Sequence, residues 1–142
     1  MKRKMRNNTL VSAIIAIGVI FFTAVSCDRK QQQEVPTHEN YRHISATEAR
    51  EIMSENPGVI ILDVRTIEEH NEFRIEGSTS LPVAEISERA EGVLPDKDAK
   101  ILVHCLRGMR SKNAANTLLF MGYTNVIDFG GLETWTYEVM RD

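Results

Sequence analysis

The chain has 142 residues, with 17 Lys plus Arg against 20 Asp plus Glu and only two cysteines. That length suits one domain with a short appendage, and 42% apolar with 26% charged residues excludes collagen-like and disordered chains. Two cysteines exclude a disulfide-stapled scaffold, and a net charge of −3 gives no reason to expect nucleic-acid binding.

The charge is unevenly placed. Lys2, Arg3, Lys4 and Arg6 precede any acidic residue, so Cys27 to Asp142 carries the other 13 basic residues against all 20 acidic ones, a net of −7. Leu10 to Val25 (LVSAIIAIGVIFFTAV) then runs 16 mostly apolar residues without a charge. As a helix this run reaches about 24 Å, short of a hydrocarbon core of roughly 30 Å. A basic start, an apolar run and small residues at its end predict a signal peptide over residues 1–26; the competing reading is an uncleaved anchor. Ala24-Val25-Ser26-Cys27 resembles the bacterial lipobox, which implies that Cys27 is lipidated and becomes the new N-terminus. The expectation is a lipoprotein of the bacterial cell envelope, held to a membrane and facing the periplasm or exterior. Asp28 to Arg42 is polar, with a glutamine run and Pro36, and reads as a flexible tether spanning about 20 Å. Residues 43–142 remain for the folded domain.

Within that domain, helix and strand patterns alternate. Ser45 and Glu48 form a capping box that starts a helix ended by Asn56-Pro57-Gly58. Val59 to Leu62 is a short apolar run, as expected of a strand buried on both faces. Thr66 and Glu69 form a second capping box before a short helix towards Phe73, and Ser78 to Leu81 reads as extended. Ala84 to Val93 is predicted helical, Ile101 to Val103 a buried strand, and Ser111 to Met121 an amphipathic helix stopped by Gly122. Val126-Ile127 predicts a strand, Gly130-Gly131 a turn, and Leu132 to Met140 a final helix. This alternation predicts an α/β domain, with a mostly parallel central sheet and helices on both faces.

The chemistry falls on Cys105-Leu106-Arg107-Gly108-Met109-Arg110-Ser111, between a buried strand and a helix. Ligand sites of open α/β sheets form at such strand ends. A loop rising into a helix N-terminus turns backbone N–H groups inward and makes an anion-binding concavity. There the Cys105 thiolate is favoured by those donors and by Arg107 and Arg110, and Gly108 permits the tight turn. The plain alternative is a buried, inert cysteine at a strand end. Four histidines show no metal-ligand spacing, so no metal or other cofactor is expected. His104 and Trp135 read as packing residues. Glu68, Glu69, Glu72 and Glu76 read as a solvated acidic face.

Several motifs in order carry a family resemblance. Asp63-Val64-Arg65 follows the first strand; Glu69, Phe73, Ile75-Glu76-Gly77-Ser78 and Leu81-Pro82 come next. CLRGMRS is the loop, and Gly130-Gly131 with Trp135 closes the chain. Together they resemble a single-domain rhodanese, a sulfurtransferase, from Ile44 to Asp142. The resemblance implies a rhodanese-like fold and a monomer whose Cys105 takes a sulfane sulfur from thiosulfate or a similar anionic donor. A thiol or cyanide then accepts the sulfur. It also implies substrate contacts from Leu106, Arg107, Gly108, Met109, Arg110 and Ser111, and structural support from Asp63, paired with Arg110 or Arg65. Two departures stand out: Arg74 replaces the family's usual histidine, and Met109 presents an apolar wall. Phosphatases with a related loop use C-x5-R, whereas Cys105 to Arg110 is C-x4-R, a smaller ring suited to sulfur. A non-catalytic sulfur carrier or partner-binding module is the alternative function.

Overall fold

A computed structural model describes residues 36–141. The predicted signal peptide and the Cys27 lipidation site lie outside the described residues, and among the described ones no helix is long and apolar enough to cross a membrane.

Four strands form a wholly parallel sheet: β1 (Ile60–Asp63), β3 (Thr79–Ser80), β4 (Ile101–Cys105) and β5 (Val126–Gly131). Their order is β3-β1-β4-β5. The two central strands are the most apolar in the sequence because each lies between layers; every residue of β4 is buried. Side-chain alternation divides the core in two. On one face Leu62, Val64, Ile101, Val103 and Cys105 pack against α3 (Ile86–Val93) and α4 (Met109–Phe120). On the other, Leu102, Ile127 and Phe129 pack against α1 (Ala46–Glu55) and Trp135. Helices therefore cover both faces, as the alternation predicts.

Local signals set the helix starts. Ser45 caps α1 and Thr66 caps α2 (Ile67–Glu72), each by a complete capping box with Glu48 and Glu69 respectively. Such caps contribute on the order of 1 kcal/mol each. The α3 segment opens with a 3-10 turn at Val83–Glu85 instead of starting as α-helix at Ala84.

Three expectations are corrected. The segment from Leu132 to Met140 is not a helix: a 3-10 turn covers Leu132–Thr134, and the chain then runs out to β6 (Met140–Arg141). There β6 pairs antiparallel with β2 (Phe73–Arg74), so backbone hydrogen bonds across the fold replace the local ones. Gly130 and Gly131 are not a turn but the end of β5, where Gly131 lies opposite Cys105 after a register shift that leaves one extra residue on β5. The third correction concerns the polar segment before residue 43. The His38 N–H donates to the Asn116 side chain, and the Tyr41 hydroxyl donates to Asp128 at 2.6 Å. Residues 38–42 are thus fastened to the domain, because the His38 N–H, the Tyr41 hydroxyl and the Arg42 carbonyl find partners on α4 and β5.

Candidate active site

Cys105 ends β4 and is 1% exposed, on the face of the sheet covered by α3 and α4. The chain turns at Gly108, whose φ of +93° lies in the left-handed region, and α4 begins at Met109 rather than at Ser111. Gly108 is thus the N-cap, and its N–H donates to Cys105 Sγ at 3.0 Å. The N–H groups of Met109, Arg110 and Ser111 open the first turn, where a helix offers its own donors no internal partner. The sulfur therefore sits at the positive end of a helix dipole.

Ser111 lies inside that first turn and is fully buried. Its hydroxyl lies 2.9 Å from the Gly108 carbonyl oxygen and 3.0 Å from that of Gly130, tying the loop to β5. Cys105 Sγ is 3.8 Å from the same hydroxyl. Gly131 underlies the other half of the loop: a Cβ built on it would stand 2.1 Å from the Leu106 carbonyl oxygen and 2.6 Å from the Arg107 nitrogen. No side chain fits there. Leu106 O also accepts the Glu133 N–H at 3.1 Å.

Both loop arginines are engaged. Arg110 makes a two-pronged bond to Glu69 on α2, at 2.6 and 2.8 Å. Its hydrogen bonds lower the Glu69 pKa to about 2, against the smaller opposing effect of burial. Glu69 and the nearby thiol hold the Arg110 guanidinium above its ordinary value. Arg107 bonds Glu133 at 2.9 Å, with both side chains largely exposed. Leu106, Arg107, Met109 and Arg110 surround a pocket of about 370 Å3 with Cys105 at its base.

Asp63 and Arg65 are a buried pair at the end of β1, beside β4. Asp63 pairs with Arg65 and not with Arg110: Nη2 donates to Oδ2 at 2.6 Å and Nε to Oδ1 at 3.0 Å. Burial raises the Asp63 pKa, but the Arg65 bonds, the His104 field and His70 together hold it below the ordinary value. Arg65 also donates to the Phe73 carbonyl at 2.6 Å, and His70 Nδ1 lies 3.0 Å from Asp63 Oδ2. These bonds pin the C-terminal end of α2 to β1. Since α2 carries Glu69, the Asp63–Arg65 pair supports the loop at one remove.

His104 is buried with Nε2 unpartnered, and burial pushes its pKa down to about 4. The strand alternation puts its ring beside Phe129, on the opposite face from Cys105, so it packs and does not serve the sulfur. Among the described residues no group of His, Cys, Asp and Glu is placed to hold a metal ion.

The sequence reading places Glu69 on a solvated face, whereas the structure makes it the partner of Arg110. Its position in the second capping box signals only local work; the salt bridge spans 41 residues. Gly131, Asp128 and Glu133 are likewise absent from the sequence-derived site. Asp128 accepts the Gly130 N–H at 2.8 Å and thereby steadies the strand end beneath the loop.

Comparison with known proteins agrees with this geometry. The chain is 36% identical over 72 residues to thiosulfate sulfurtransferase PspE of Escherichia coli, covering 51% of this chain and 69% of that protein. It is 33% identical over 96 residues to thiosulfate sulfurtransferase GlpE of Coxiella burnetii, covering 67% and 87%. A rhodanese-related protein from Thermoplasma volcanium superposes with a TM-score of 0.63 at 30% identity, covering 72% of this chain and all of that one. Residues 45–138 match the rhodanese-like domain family, a span that takes in the Asp63–Arg65 pair, the cysteine loop and the glycines beneath it. Fold, loop and match together make this chain a member of the rhodanese-like domain family.

Proposed function

We propose that the protein is a sulfurtransferase that carries a sulfane sulfur on Cys105, from an anionic donor such as thiosulfate to cyanide or a thiol. The observation that carries this reading is the position of Cys105 Sγ, bonded to the Gly108 N–H at the first turn of α4 and closed in by the pocket. The thiolate attacks the outer sulfur of the donor. A Cys105–sulfur bond forms, the donor's S–S bond breaks, and sulfite leaves with the electron pair. The persulfide anion extends towards the N–H groups of Met109, Arg110 and Ser111, whose donors meet its charge. Cyanide or a thiolate then attacks the outer sulfur, and the Cys105 thiolate is regenerated.

Intact mass spectrometry of the full-length protein in detergent tests this. Thiosulfate should add one sulfur atom, cyanide should remove it, and Cys105→Ser should take up none. An adduct that forms equally on Cys105→Ser, or none on the wild type, refutes the persulfide. Steady production of thiocyanate separates an enzyme from a carrier that loads without releasing.

We also propose that Cys27 is the lipid attachment point of an envelope lipoprotein. The support is the basic segment, the apolar run and the lipobox-like Ala24-Val25-Ser26-Cys27. Labelled palmitate should enter the wild type and not Cys27→Ser.

A further inference from the structure

A second cavity, of about 680 Å3, opens on the face of the sheet opposite Cys105. That volume lies in the range that holds small organic molecules. Met53 of α1, Ile61 of β1, Ile75 and the buried Trp135 line its apolar part, and all four belong to the core layer beneath α1. Its charges come from two places. Arg50, one turn before Met53 on α1, holds its guanidinium 5.9 Å from the centre of the Tyr137 ring. Glu76 and Glu138 supply two exposed carboxylates, neither of them paired with a cation among the described residues. The ribbon of β2 and β6 explains why both line one cavity. Phe73 faces Arg141 and Arg74 faces Met140, so the same antiparallel course carries Glu76 and Glu138 to one end of the ribbon. Like charges brought together in this way repel. Next to Glu138 in the chain, the Tyr137 ring meets that of Trp135 edge to face at 5.0 Å.

We infer that this cavity is a binding site for a small organic cation, an ammonium compound carrying an apolar or aromatic group. The ammonium donates charge-assisted hydrogen bonds to Glu76 and Glu138 and offsets their repulsion. The apolar group lies against Met53, Ile61, Ile75 and Trp135, where it loses water-exposed surface. An anion is disfavoured, because the one guanidinium at the cavity already sits over the Tyr137 ring and two carboxylates stand against it. The region from Cys27 onward, with a net charge of −7, attracts a cation in the same sense. Binding here involves no covalent step and is independent of the chemistry at Cys105, which packs on the other face of the sheet.

Trp135 is the only tryptophan of the chain, so its fluorescence reports on this cavity. The full-length protein in a non-ionic detergent is titrated with phenethylamine, with the neutral phenethyl alcohol and with the anionic hydrocinnamate, which share an aryl-alkyl body and differ in charge. The amine should give a saturable change in emission. The alcohol should bind about tenfold or more weakly, the scale of one hydrogen bond to a charged group, and the anion more weakly still. Glu76→Gln and Glu138→Gln should each weaken the amine several-fold, and the double variant should bind it no better than the alcohol. Both positions are exposed, so the fold tolerates these changes. Cys105→Ser should bind the amine as the wild type does. Equal affinity for the three compounds, a double variant that keeps full affinity for the amine, or loss of binding in Cys105→Ser overturns the inference. So does the absence of saturable binding by both fluorescence and calorimetry.

Discussion

Gly131 and Leu106 are in contact through their backbones, and the space between β5 and the cysteine loop admits no Cβ: one built on Gly131 would stand 2.1 Å from the Leu106 oxygen. Gly131→Ala must therefore push the loop or the strand aside. The expected cost is about 1–3 kcal/mol in urea unfolding. Sulfur loading should slow by about 100-fold, since a displacement near 1 Å at the nucleophile has that effect. Unchanged loading kinetics would show that the loop does not depend on this contact.

Arg65 is fully buried and holds Asp63 in a two-pronged pair. Arg65→Ala leaves a buried carboxylate with His70 as its remaining side-chain partner, and a loss of about 3–5 kcal/mol is expected. Arg65→Lys keeps the charge but not the planar fork that serves both Asp63 and the Phe73 carbonyl, so it should fall between wild type and Arg65→Ala. Urea titrations of the three proteins at neutral pH give the order.

Acid stability should fall in two windows, an upper one set by His104 and a lower one to which Glu69 contributes. His104 has an ordinary pKa of 6.5, lowered by burial to about 4 in the fold. Between these values the unfolded chain binds a proton that the folded chain does not, so stability falls as pH is lowered from 6.5 to 4. Glu69 is held at about 2, first by its bonds to Arg110, against an ordinary 4.5. Its contribution is complete above pH 4.5 and is lost as pH falls towards 2. Urea midpoints measured across this range should lose the upper slope in His104→Leu and show a shallower lower slope in Glu69→Gln, where the lowered Asp63 pKa still contributes.

Asp128 joins the polar segment before the domain to the strand under the loop. It accepts the Tyr41 hydroxyl and the Gly130 N–H, and His43 Nδ1 lies 3.3 Å from it. Asp128→Ala should cost about 1–3 kcal/mol for each buried donor left unpaired. It should also slow sulfur loading, because Gly130 receives the Ser111 hydroxyl. Asp128→Asn keeps an oxygen for the Gly130 N–H and should recover most of the loading rate. Equal rates in both variants would leave Asp128 with a purely structural role.

Local patterns carried much of this in the sequence. The two capping boxes, the apolar runs of β1 and β4 and the amphipathic face of α4 each depend on residues within a few positions of one another, and the fold reproduces them. The final segment misled because Leu132 and Trp135 satisfy a helical spacing while their partners lie elsewhere: Trp135 packs with Phe129, and β6 completes a ribbon with β2. Glu69 misled for the same reason, its local cap being visible and its distant arginine not.

The sequence by itself determined the cysteine proposed as nucleophile, the glycine that lets the chain turn over it, and the alternation of strand and helix that puts Cys105 at a strand end. Those features follow from residue type and spacing, which a chain carries before it folds. Only the tertiary structure decided which charges remain available at the site. Arg107 and Arg110 read as an open basic patch until Glu133 and Glu69 arrive beside them from 26 and 41 residues away. A net charge sums over sequence, whereas a ligand meets the charges that the fold brings together.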